Sequence, residues 1–155
     1  TGKRVILITG EGGLMMNIQE LATVMHHKLP IKIFVLNNGG YLTIKQTQEL
    51  GFEGRLMGVN KESGLSFPNL PAIADIHGFN INTVYRHDNL KRAIEMVFDN
   101  DNPYLCEIMI DPDQPQAPRA LNRRNADGTM NPTKLEDSFP YLSPETIAEE
   151  MKFAL

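Results

Sequence analysis

Residues Gly10 to Tyr41 read G-E-G-G-L-M-M-N-I-Q-E-L-A-T-V-M-H-H-K-L-P-I-K-I-F-V-L-N-N-G-G-Y. The stretch starts where one apolar run, Val5 to Ile8, ends, and it closes where a second, Ile31 to Leu36, ends. Between them Ile18, Leu21, Val24 and Met25 recur at helical spacing and turn one apolar stripe toward a sheet. Asn17 followed by Glu20 predicts a capping box with Asn in place of Ser or Thr. The unit therefore reads strand, glycine turn, helix, strand. Crossovers of this kind are right-handed, so Glu11 and Asn38 are expected near each other above the sheet, where open parallel sheets bind ligands.

The residue types at those two strand ends suit one chemistry. Gly12 and Gly13 leave backbone N–H groups open to a phosphate at the start of a helix. Glu11 offers a carboxylate, Asn38 an amide oxygen, and the Gly39-Gly40 turn a backbone carbonyl. Three hard oxygen donors suit Mg²⁺ or Ca²⁺ better than zinc.

Gly-acid-Gly, then 24 residues from Gly13 to Leu36, then Asn37-Asn38 resembles the diphosphate-binding motif of thiamine-diphosphate enzymes. The resemblance extends through N-I-Q-E-L-A-T and L-P-I-K-I-F-V-L-N-N to Gln46 and is greatest to the acetolactate (acetohydroxyacid) synthase branch. It implies the thiamine-diphosphate-binding fold, a doubly wound α/β parallel sheet, with thiamine diphosphate and Mg²⁺ as cofactors. Glu11, Asn38 and the Gly40 carbonyl are then the metal ligands. Gly10, Gly12, Gly13 and Leu14 stand around the diphosphate, and Tyr41 and Leu42 face the cofactor from the next segment.

The chain departs from the family in two places. Asp is usual where it has Glu11, and one more methylene moves the carboxylate by roughly 1.5 Å at an ion that demands near-octahedral geometry at about 2.0–2.1 Å. Synthases that make branched-chain amino acids usually carry Trp where it has Thr47, and this sequence contains no Trp. The resemblance implies decarboxylation of a 2-keto acid, pyruvate, and transfer of its two-carbon unit to an acceptor that the sequence does not name. The competing expectation is a non-catalytic binding or assembly module that keeps the fold without productive cofactor binding.

At 155 residues, 41% hydrophobic and 22% charged, the chain has the size and make-up of a soluble globular domain. A formal charge of −4 argues against nucleic acid or an anionic membrane as partner. Cys106, the sole cysteine, lies in the apolar run Leu105 to Ile110; it excludes an intrachain disulfide and fits the cytoplasm. Its ordinary reading is a small buried strand residue. His77 and His87 lack a carboxylate or cysteine partner at ligand spacing and read as surface or capping residues, and the pair His26-His27 sits at a helix end, where the dipole favours it.

Further along, Tyr41 to Leu50 predicts a helix stopped by Gly51, and residues 51–69 a long loop: a lid, a binding loop or a disordered strip. Leu70 to His77 reads as a helix, Ile81 to Tyr85 as a strand, Leu90 to Phe98 as a helix and Tyr104 to Ile110 as the last strand. Residues 1–110 are thus expected to form the cofactor-binding core. From 111 to 155 six prolines break all periodicity, predicting an extended C-terminal arm that ends in a helix starting at Ser143-Pro144. Arg123-Arg124 in that arm is a candidate anion contact, with a solvated or interface pair as the ordinary alternative.

Only nine residues precede Gly10. Family members carry further elements before this point, so we expect a C-terminal piece of a longer protein. The catalytic residues are then expected upstream: a pyrimidine-binding domain of the same or another subunit, within a homodimer or homotetramer, supplies the glutamate that meets the aminopyrimidine ring. The piece alone is expected to be inactive.

Overall fold

Four parallel strands carry the first part of the chain in a computed structural model that describes residues 3–120, 122–124, 127–132 and 134–153. The side chains of 123, 124 and 153 are outside that description, and with them the anion contact expected of Arg123-Arg124. The strands are β1 Val5–Gly10, β2 Ile31–Asn37, β3 Asn80–Val84 and β4 Tyr104–Met109, in sheet order β1-β2-β4-β3. Gly10 pairs with Leu36, and Asn37 with Met109, so the ends carrying Glu11 and Asn38 are neighbours.

Helices cover both faces. On one face α1 (Glu11–Met15), α2 (Glu20–His26) and α4 (Leu70–Ile76) bring Leu14, Leu21, Val24, Leu70 and Ala74 onto Ile33, Val35 and Leu105. On the other, α5 (Leu90–Phe98) packs Ala93 and Val97 against Phe34, Val84, Tyr104 and Cys106. The sheet is doubly wound, as the alternation of apolar runs with amphipathic segments requires. Leu105, Val35 and Val97 are fully buried, each stabilising the fold by roughly 1.5–3 kcal/mol relative to exposure.

Two local expectations need correction. The expected glycine turn is itself a short helix, α1, and the helix expected from Ile18 to Met25 starts only at Glu20, after a turn in which Glu20 N–H donates to the Asn17 carbonyl (3.0 Å). The capping box does not form: Gln19, in helical conformation, is the N-cap of α2, with no side-chain cap bond. Asn69 does cap α4, accepting from Ala72 N–H at 3.0 Å, with Pro71 in the first turn.

β1 is apolar on both faces, as a central parallel strand should be, yet Val5, Ile6, Leu7 and Ile8 are 42–65% exposed at the sheet edge. At the opposite end of β2, Lys32 is fully buried; its Nζ donates to the Asn102 carbonyl at 2.5 Å and lies over the Tyr104 ring. Burial lowers its pKa.

The chain divides into two compact units, Thr1–Asp113 and Gln114–Leu155. The second holds a two-stranded antiparallel ribbon, β5 Arg123–Arg124 and β6 Met130–Asn131, and α6 (Pro144–Glu150), whose N-cap Ser143 accepts from Thr146 N–H at 3.2 Å.

Candidate functional site

The C-terminal ends of β1 and β2 meet in the first unit. Glu11 opens α1 directly after β1 and is 2% exposed. One of its carboxylate oxygens accepts the Gly40 N–H at 2.8 Å, and the Asn38 amide oxygen accepts the same N–H at 3.1 Å. Two oxygen donors therefore converge on one point. Burial raises the Glu11 pKa, opposed by backbone N–H groups of Glu11, Gly40, Asn38 and Gly39. Among the described residues no Lys, Arg or His pairs with it, and its charge is met by amide dipoles alone.

That donor set fits a hard divalent cation. The Gly40 N–H brings a carboxylate and an amide oxygen side by side, and these donor types match Mg²⁺ or Ca²⁺. No group of three or more His, Cys, Asp or Glu at metal-binding range occurs among the described residues.

Glycines line the turns because neighbours take the space of a side chain. A Cβ on Gly12 would overlap the Tyr41 ring, which stacks edge-on against Phe67 with centroids 5.6 Å apart. A Cβ on Gly13 would lie 2.7 Å from the Thr9 hydroxyl. Gly12 is buried beneath the ring, against the expectation that it stands open, whereas Gly13 is exposed. α1 is only five residues long, so its dipole is weaker than the sequence implied.

Gly40 is pressed against the Val59 carbonyl, which also accepts the Tyr41 N–H at 2.8 Å. The long loop accordingly packs against this turn. Val59 is 1% exposed, Ser63 Oγ accepts from the Val59 and Asn60 N–H groups at 3.0 Å, and Met57 N–H donates to the Gln48 side chain at 2.8 Å. Helix α3 (Leu42–Gly51) carries the loop's partner residues.

Asn38, Gly40, Tyr41 and Leu42 line a cleft of about 400 Å³ with Lys45 and Asp113. Lys45 and Asp113 are paired at 2.5 Å, and that bond raises the Lys45 pKa. Of the residues picked from sequence, Glu11, Gly12 and Leu14 lie buried and outside the cleft lining, and Gly10 ends β1. Thr47 is exposed on α3, its hydroxyl donating to the Thr43 carbonyl at 2.9 Å.

Two contributors escaped the sequence reading. One is Val59, whose backbone acts through a contact 18 positions from Tyr41 and leaves no side-chain signal. The other is Glu107 on β4, which accepts from the Asn37 amide at 2.8 Å. A lone acid within an apolar strand was its legible signal.

Residues 1–108 match the family described as thiamine pyrophosphate enzyme, C-terminal TPP binding domain. The acetolactate synthase isozyme 2 large subunit of Escherichia coli K12 is 36% identical over 107 residues, covering 69% of this chain and 19% of that protein. The probable acetolactate synthase large subunit of Methanococcus aeolicus is 31% identical over 109 residues, covering 70% and 18%. The chain thus spans about a fifth of the length of these curated relatives. In three dimensions it resembles the thiamine diphosphate-dependent 4-hydroxybenzoylformate decarboxylase of Rhodococcus jostii RHA1, with a TM-score of 0.65 at 22% identity over 74% of this chain and 21% of that one. That likeness concerns the fold.

Proposed function

The chain belongs to the thiamine pyrophosphate enzyme family, as its C-terminal TPP-binding domain, and from this we propose that Glu11, Asn38 and the Gly40 carbonyl hold Mg²⁺ on the diphosphate of thiamine diphosphate. The observation that carries the reading is the convergence of the Glu11 carboxylate and the Asn38 amide oxygen on the Gly40 N–H, without a cationic side chain. We further propose that the whole protein is a cytoplasmic 2-keto acid decarboxylase or carboligase resembling acetolactate synthase, with pyruvate as donor.

When bound, the cofactor supplies the electron sink for decarboxylation. This chain's residues bind and orient it. Glu11 and Asn38 bring the negative and dipolar oxygens, Gly13 offers exposed backbone beside them, and Tyr41 and Leu42 wall the cleft toward α3. Completion by an upstream pyrimidine-binding domain, within a homodimer or homotetramer, agrees with the exposed faces of β1.

Calorimetric titration of thiamine diphosphate into the assembled full-length protein tests the reading. Binding heat in Mg²⁺ that vanishes in EDTA is the expected result. No heat in either condition would mark a non-catalytic assembly module and overturn the proposal.

A further inference from the structure

Glu107 is an acid in an otherwise apolar strand, 8% exposed, paired in register with Val35 on β2 and Thr83 on β3. Burying a carboxylate there opposes folding, since an apolar residue would avoid the desolvation. Its contacts say what it holds. One oxygen accepts from Asn37 Nδ2 at 2.8 Å, and the other lies 3.5 Å from the Thr83 hydroxyl. Asn37 Oδ1 in turn accepts the Gly39 N–H at 2.9 Å.

A carboxylate offers only acceptors, so it obliges Asn37 to present its NH₂ group to β4 and its oxygen to Gly39. The reversed amide would set two oxygens against each other at Glu107 and two N–H donors against each other at Gly39. Gly39 stands at φ +76°, and the next N–H, that of Gly40, is the one shared by Glu11 and Asn38. The relay from β4 thus ends at the turn that carries two of the three proposed metal donors.

We infer that Glu107 is a positioning residue of the metal site: through Asn37 it holds the Asn38-Gly40 turn in the shape that presents its oxygens. This rests on the metal reading above. Outer-shell partners of metal ligands typically account for 10–100-fold in affinity, and Glu107 is assigned that role.

The test is calorimetric titration of Mg²⁺ into the assembled full-length protein with saturating thiamine diphosphate, for the parent, Glu107→Leu, which leaves the Asn37 amide without its acceptor, Asn37→Ala and the double variant. Each single change is expected to weaken Mg²⁺ roughly 10–100-fold, and the double variant to be no weaker than the weaker single. The loss should persist well below the unfolding midpoint of every metal-free variant. Affinities within about twofold of the parent, losses that multiply, or a loss that disappears on cooling would overturn the role. If Glu107→Leu does not fold, Asn37→Ala decides by the same criterion. A parent that shows no Mg²⁺-dependent binding defeats the metal reading and this inference together, whereas a parent that binds alongside variants that bind equally defeats this inference alone.

Discussion

The Tyr41 ring lies over Gly12, in the space a side chain at residue 12 would need. A residue at the end of one strand crossover is thereby packed onto the turn that begins it, and the ring also makes an edge-to-face contact with Phe67. Gly12→Ala must displace the ring, and overpacking of this kind costs about 1–3 kcal/mol. Gly40→Ala instead meets the Val59 backbone carbonyl, which cannot swing aside, and it endangers the Tyr41 N–H bond to that oxygen. Urea unfolding should rank Gly40→Ala as the more destabilising. Tyr41→Ala should recover part of the loss in Gly12→Ala and none in Gly40→Ala.

Glu11→Ala and Asn38→Ala should each reduce Mg²⁺-dependent affinity for thiamine diphosphate at least about tenfold while far-ultraviolet dichroism is retained, because each removes one hard oxygen donor. Calorimetry in Mg²⁺ and in EDTA separates the two effects. A variant that binds like the parent removes its residue from the ligand set.

Burial, followed by the nearby charge of Glu107, pushes the Cys106 thiol up from 9.0 to about 11. Iodoacetamide at pH 8 should label it slowly in the native chain and readily in urea. The raised folded pKa means that this contribution to stability is fully present below the unfolded value of 9.0 and is lost as pH rises through about 11. Alkaline unfolding followed by dichroism should therefore be shallower in Cys106→Val. An unchanged slope would show that the thiol does not contribute.

Thr47 stands exposed on α3 with its hydroxyl turned back onto the helix, so it offers an acceptor keto acid no large apolar surface. With pyruvate as donor, the full protein should show no preference for 2-ketobutyrate as acceptor over a second pyruvate. A competition assay with both acceptors decides this, and strong 2-ketobutyrate preference contradicts it.

Residues 1–155 on their own should neither decarboxylate pyruvate above the rate of free cofactor with Mg²⁺ nor stay monomeric at high concentration. Val5 to Ile8 expose apolar side chains on both faces of an edge strand, a surface that seeks cover. Light scattering across a dilution series and a decarboxylation assay check the two halves independently.

Much of this architecture is written locally. Leu90 to Phe98 reads as a helix, and is one, because its apolar positions recur at a period that chain geometry alone defines. The four apolar runs are strands for the same reason. Gly-Glu-Gly-Gly and Asn37-Asn38 reach adjacent strand ends because β1 and β2, successive strands joined through a helix, pair in parallel, as successive strands commonly do. What the sequence by itself determined is therefore the order of elements, the parallel sheet and the meeting of Glu11 with Asn38. Only the tertiary structure decided that Gly12 is covered by Tyr41, that Val59 backs Gly40 and that Glu107 reaches Asn37, 70 positions away. Those contacts depend on distances between elements, which are set when side chains from several segments pack at once, and no periodicity within any one segment encodes them.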